Sequence, residues 1–143
     1  RTADAMGARA IVSVKGSVEA SSPKVIRSSA GSVFHLPIVP ADSFDEACQT
    51  LRGVNAVILG TSGARGAYSL SSLMSQASVE GRGWLTQTHA WVFGNEAQGM
   101  SQSEMSACDA LVMIPMSGDA ESLNVASAAA MCLFASQSAR VGE

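Results

Sequence analysis

Three short, almost uninterrupted apolar runs, residues 54–59, 89–93 and 109–114, each give way to a polar loop that carries glycine. Runs of this length that do not alternate with polar residues suit strands buried on both faces, as in a parallel sheet covered by helices. Two further β-like runs, 10–14 and 34–39, precede them, the second closed by Pro40. Helix signals fall between the runs. Pro23 sits at a first helical turn behind Ser21 or Ser22, for a helix to about residue 30 ended by Gly31. Asp42 or Ser43 caps a helix to about residue 51, which Gly53 stops. Residues 68–77 read as helix, Ser101 opens a short one to about residue 107, and Ser122 opens the last, to about residue 138. Residues 2–7 read as the end of a helix with Gly7 just past it. Strands alternating with helices predict an α/β fold, a parallel sheet with helices on both faces.

Composition agrees with one well-buried domain over residues 1–143: 47% of residues are apolar and only 15% charged. Aromatics make up 5%, so Ala, Val, Ile, Leu and Met must fill the core. The longest nearly apolar run, 125–135, is shorter than the ~20 residues of a membrane span. No basic-then-apolar leader opens the chain, so a cytoplasmic protein is expected. Cys48, Cys108 and Cys132 are odd in number and lack CxxC spacing, which argues for buried thiols over a disulfide framework or zinc site. His35 and His89 stand apart from any ligand-like cluster, so no metal is expected.

The net charge of −3 does not favour a nucleic-acid binder, but its distribution is uneven. Residues 1–27 hold five basic residues (Arg1, Arg9, Lys15, Lys24, Arg27) and two acids, while the remainder is acidic. A phosphate-bearing partner is expected on the N-terminal side.

In open α/β sheets, ligands bind beyond the carboxyl ends of the strands, where glycine lets them approach the backbone. The loops to watch are therefore 60–63, 94–99 and 115–124. They contain neither GxGxxG nor a phosphate-loop Gly-Lys-Ser/Thr, so a nucleotide-phosphate site is not indicated.

The ordered set Gly94-Asn95-Glu96-x-x-Gly99, Ile114-Pro115-Met116 and Glu121-Ser122-Leu123-Asn124-Val125 resembles motifs two and three of the SpoU (TrmH-like) family of SPOUT RNA methyltransferases. The segment from Lys24 through Arg27 and Gly31 to Phe34 is similar to that family's stretch between motifs one and two. Residues 1–7 resemble the end of motif one, so the resemblance covers essentially the whole chain. The family's first strand and the motif-one asparagine have no counterpart here, and the domain reads as truncated at its N-terminus.

The resemblance implies a C-terminal deep trefoil knot, a homodimer, an RNA partner (rRNA or tRNA) and S-adenosylmethionine as cofactor. The implied reaction is methyl transfer to a ribose 2′-hydroxyl; the alternative is a non-catalytic cofactor-binding and dimerisation module. By motif position, the cofactor would meet the backbone of Gly94, Ile114 and Leu123, with Thr61, Ser62, Gly63 and Met116 lining the pocket. Arg1, Glu96, Ser122 and Asn124 would serve catalysis, and Arg27 and Ser29 would touch RNA. Each has a plainer reading: an exposed terminal residue, a solvated loop carboxylate, helix capping for Ser122 and Asn124, an ordinary helix face for Arg27 and Ser29.

Overall fold

The computed structural model describes residues 1–140; residues 141–143 of the expected domain lie outside the described residues. Two parallel ladders carry the fold. Strands β1 (Ile11–Val14) and β2 (Ile38–Ala41) pair with each other. Strands β3 (Val57–Thr61), β4 (Tyr68–Ser69), β5 (His89–Val92) and β6 (Ala110–Met113) form a second sheet in the order β4-β6-β3-β5. Every pairing is parallel, as the unalternating runs predict, but one continuous sheet is not what forms. Because β3 and β4 flank β6, the connection 62–67 must cross the carboxyl end of β6.

The helices are α1 (Thr2–Ala5), α2 (Pro23–Ser28), α3 (Phe44–Gly53), α4 (Leu70–Glu80), α5 (Gln102–Ala107) and α6 (Val125–Arg140). Side-chain caps set several of their starts. Ser22 accepts the Val25 N–H at 3.3 Å, with Pro23 at the first helical position. Ser43 accepts from Glu46 at 3.1 Å while the Glu46 carboxylate accepts the Asp42 N–H at 2.7 Å. Ser101 and Glu104 form a reciprocal capping box.

Several boundaries move from their expected places for local reasons. Residues 32–34 form a 3-10 turn entered through Gly31 at φ +91°, so the strand expected from residue 34 begins at Ile38. Pro40 lies inside β2 rather than closing it. The Pro37 and Ala41 carbonyls accept from Ile11 and Lys15, so odd-numbered residues of β2 face β1 and Pro40 faces the unpaired edge. Asn55, at φ +55°, turns the chain after α3 and delays β3 to Val57. The last helix starts at Val125, not at Ser122.

Ile58 and Leu59 are fully buried and, being consecutive in a strand, face opposite sides. Leu59 joins Leu73, Leu85, Val112, Cys132 and Ala135 in the core beneath α4 and α6. Ile58 belongs to the other side, where α3 packs on β3 with Ala47 and Cys48 buried. No helix among the described residues is long and apolar enough to cross a membrane.

A polar cluster ties α6 to β5. The His89 Nδ1 lies 2.8 Å from the Gln87 carbonyl, which can only accept, so Nδ1 carries the proton. In the neutral ring, Nε2 then accepts the Ser136 hydroxyl at 2.6 Å, and Ser136 accepts the Trp91 indole N–H at 2.8 Å. Burial is the main cause that holds the His89 pKa below its ordinary 6.5. The unfolded chain therefore binds the proton more readily, and this contribution to stability, full above about pH 6.5, is lost as pH falls through the lower folded value. Thermal melts from pH 7 to pH 5 are expected to lose less stability in His89→Gln than in the parent. Equal pH dependence in the two would show that this imidazole does not carry the effect.

Candidate active site

The register of the sheet brings three loops to one edge. Gly60 pairs with Val92 of β5 on one side and Leu111 of β6 on the other, and Thr61 pairs with Val112. Counting on from these pairs, the chain leaves the sheet at Ser62, Gly94 and Ile114 from three neighbouring strands. Strands in a sheet lie about 4.8 Å apart, so the three exits start within roughly 10 Å of one another. Two bonds stitch them: the Thr61 hydroxyl donates to the Val92 carbonyl at 3.0 Å, and the Ser62 N–H to the Val112 carbonyl at 3.0 Å. The segments that carry Thr61 to Gly63, Gly94, and Ile114 to Met116 thus all start from the carboxyl edge. Leu123 is half-buried at the far end of the loop that leaves β6.

Glycine is required at Gly94, where a Cβ would stand 2.2 Å from the Gly99 carbonyl carbon and 2.4 Å from the Met100 nitrogen. That close approach folds residues 95–99 into a compact loop. The Asn95 side-chain carbonyl accepts the N–H groups of Ala97 at 3.0 Å and Gln98 at 2.7 Å, and Gly99 N–H closes back on the Asn95 carbonyl at 2.9 Å. Glu96 is exposed within this loop. Gly63 is the opposite case, with no atom within 4 Å of an added Cβ. Space is open beside it.

The loop from β6 to α6 leaves its peptide groups unspent. Among the described residues, none of 115–123 makes a backbone–backbone hydrogen bond. Its apolar members differ in exposure: Ile114 packs against the core, and Met116 is 42% exposed. A flat heterocycle with a ribose needs directional donors and acceptors beside apolar cover. The loop offers groups of both kinds, unspent peptides and the side chains of Ile114, Met116 and Leu123.

Ser122 and Asn124 divide between the two readings the sequence allows. Ser122 is exposed and does not begin the helix. Asn124 does: its Oδ1 accepts the Ala126 N–H at 2.8 Å and its carbonyl the Ala128 N–H at 2.9 Å. The cap uses only Oδ1, and among the described residues the Asn124 amide NH₂ has no partner.

The N-terminal candidates sit on two joined segments. Arg1 is exposed at the start of α1, which lies against α6. Asp4, one turn on, holds His35 at 2.9 Å across a sequence separation of 31. Hydrogen bonds from His35 and then Ser32 keep the Asp4 carboxyl below its ordinary pKa. No spacing or motif signals this pair in the sequence. Arg27 is exposed in the last turn of α2. Ser29 is not on an exposed helix face: it is 8% exposed, and its hydroxyl donates to the Ile26 carbonyl at 2.9 Å.

The cysteines are free thiols. Burial pushes Cys108 up to about 11 and Cys132 up to about 12, and raises Cys48 as well, so they stay protonated near neutrality. Among the described residues, no group of three or more His, Cys, Asp or Glu is arranged to hold a metal.

The sequence matches the SpoU rRNA Methylase family over residues 1–134. It is 36% identical over 134 residues to the 23S rRNA (guanosine-2'-O-)-methyltransferase RlmB of Nitrosomonas europaea, covering 94% of this chain and 47% of that protein. The fold is similar to the crystal structure of the SpoU methyltransferase AviRb from Streptomyces viridochromogenes in complex with AdoMet. The TM-score is 0.81 at 32% identity, over 99% of this chain and 51% of that one. It is also similar to an AdoMet-bound rRNA methyltransferase from Sinorhizobium meliloti, with TM-score 0.80 and 28% identity over 96% and 48% of the two chains. The chain spans about half the length of these relatives. An α/β fold with parallel strands, the ordered glycine loops at its carboxyl edge and a match over nearly the whole chain make this chain a member of the SpoU rRNA methylase family.

Proposed function

We propose that this chain carries the methyl-transfer centre of an RNA ribose 2′-O-methyltransferase that uses S-adenosylmethionine and acts on rRNA or tRNA in the cytoplasm. The observation that supports the reading is the shared carboxyl edge, from which the segments that carry Thr61 to Gly63, Gly94, and Ile114 to Met116 leave neighbouring paired strands. Cofactor-bound relatives of the same fold support it. In this reading the peptide groups at Gly94, Ile114 and Leu123 hold the adenosine, with Thr61, Ser62, Gly63 and Met116 around it. When bound, S-adenosylmethionine supplies an already activated methyl group on its sulfonium.

What remains for the protein is to orient the ribose and manage charge on its 2′-oxygen. A guanidinium group is intrinsically a poor base, so proton removal is not the task assigned to Arg1. Its role is to hold a neighbouring phosphate and stabilise negative charge developing on the oxygen. Glu96 orients Arg1 or the substrate, the free NH₂ of Asn124 and the Ser122 hydroxyl fix the ribose, and Arg27 contacts the RNA backbone. Ser29, its hydroxyl spent on Ile26, supports the turn behind Arg27 rather than meeting RNA.

The reading includes a deep trefoil knot formed by the C-terminal stretch. The strand order supports it: β6 is added between β3 and β4, beneath the 62–67 connection, and the chain must then leave past that loop. It also includes a homodimer, supported by Met131 and Phe134 on α6, which are 46% and 54% exposed.

Calorimetry of the full-length protein with S-adenosylhomocysteine is expected to show binding, and labelled methyl groups are expected on ribose 2′-oxygens of total RNA. Binding without transfer would instead support a non-catalytic module. Gly63→Ala is expected to melt with the parent yet bind S-adenosylhomocysteine at least about tenfold more weakly, since its methyl fills open space at the pocket. Asn124→Asp keeps a capping oxygen but loses the amide donor. It is expected to retain stability while methyl transfer falls about 10²-fold. Parent-like turnover in that variant would remove Asn124 from the active site.

A further inference from the structure

Phe34 is 78% exposed, an aromatic ring in water in a chain with few aromatics. It is not on a loose loop. It ends the 3-10 turn Ser32–Phe34, entered through Gly31 in the left-handed region at φ +91°. The Phe34 N–H donates to the Gly31 carbonyl at 3.0 Å and the His35 N–H to the Ser32 carbonyl at 3.0 Å. Ser29 and Ser32, just before it in the chain, are buried, 8% and 7% exposed. The next side chain, His35, is held by Asp4 at 2.9 Å, which locks the turn to α1.

The chain leading into this turn is basic. Lys24 and Arg27 lie on α2, joined to Phe34 by consecutive hydrogen-bonded turns, and Arg1 is one helical turn from Asp4. Other strongly exposed apolar residues differ: Val79, for example, is aliphatic and precedes Glu80. An aromatic face on a fixed turn that follows directly on a helix bearing two cations has the chemistry that binds unpaired nucleotides. The ring stacks on a base and the cations meet the phosphates.

We infer that Phe34, on its clamped turn between Arg27 and the Asp4–His35 pair, is a stacking platform for one unpaired base of the RNA substrate. The inference rests on the methyltransferase reading and sharpens it. The substrate region is single-stranded or looped, because a base inside a duplex has no free face to offer. Stacking tolerates any base, so Phe34 contributes affinity, and sequence choice lies elsewhere.

The test uses the full-length protein and a fluorescein-labelled single-stranded oligoadenylate of about 12 nucleotides, within the length range that single-strand sites cover. Phe34→Ala is expected to raise Kd about ten- to a hundredfold, with melting temperature and S-adenosylhomocysteine affinity unchanged. Phe34→Leu, apolar but not aromatic, is expected to behave like Phe34→Ala. Phe34→Trp is expected to restore affinity, and its added emission over the parent is expected to be quenched by the oligonucleotide. Parent-like RNA affinity in Phe34→Ala or Phe34→Leu would overturn the inference. So would a parent that does not bind the oligonucleotide, or a Phe34→Ala variant that dissociates a dimer, which would make the ring a contact between copies. A parent that binds the oligonucleotide through Phe34 but transfers no methyl group would contradict only the enzymatic reading.

Discussion

Strand β3 is hydrogen-bonded on both sides, to β5 through residues 57–60 and to β6 through residues 59–61, and the placement of the carboxyl-edge loops follows from that double pairing. The pairing leaves no room at Gly60. A Cβ there would sit 2.8 Å from the Cys108 sulfur and 3.1 Å from both the Leu111 and Met100 side chains. Gly60 thus admits the segment that leads into β6 close against the sheet. Asp109 reinforces the same junction by accepting the Ile58 N–H at 2.7 Å while its own N–H donates to the Ile58 carbonyl at 2.8 Å. Shifting β6 by one residue would break these bonds and move Ala110 and Val112 out of the core to the opposite face of the sheet. It would also carry Ile114 and the following loop away from Ser62 and Gly94.

Polar groups are used differently at the two ends of this sheet. At the amino end they are spent on structure: His89, Trp91 and Ser136 satisfy one another between β5 and α6. Among the described residues no buried side-chain nitrogen or oxygen is left without a partner. At the carboxyl end, among the described residues, the loop 115–123 keeps its peptides free of backbone partners. A site that must take up a polar, heterocyclic cofactor needs such groups in reserve, on loops fixed at their roots by a rigid sheet. In the proposed reading the N-terminal segments are the ones that meet the RNA. The Asp4–His35 contact joins the helix bearing Arg1 to the turn bearing Phe34, so cationic and aromatic groups keep a set spacing.

Much of this is legible in the sequence alone. Unalternating apolar runs marked the parallel strands, and the chemistry of Ser22, Ser43 and Ser101 marked helix starts. Local signals failed where tertiary packing overrode them. The apolar run 34–39 reads as a strand, but burial of Ser32 and the left-handed Gly31 make its beginning a 3-10 turn. Ser122 looked like the last N-cap because it precedes the apolar run, yet Asn124 caps more directly, two residues from the N–H it accepts. Ser29, read beside Arg27 as a polar surface position, turned inward to its own helix. The division into two ladders, and the contacts Asp4–His35 and His89–Ser136, depend on residues 31 and 47 positions apart that no periodicity links. The gathering of the site residues was legible only through the ordered motifs of the family; their physical basis is the register of β3 with its two neighbours.

The central claim is that these strand ends form one adenosine-sized binding site. Amide chemical-shift mapping of the isotope-labelled protein during titration with S-adenosylhomocysteine tests it most directly. The account predicts saturable shifts centred on Thr61, Ser62, Gly63, Gly94, Ile114, Met116 and Leu123. Saturable shifts that leave those amides untouched and cluster elsewhere on the molecule would contradict it.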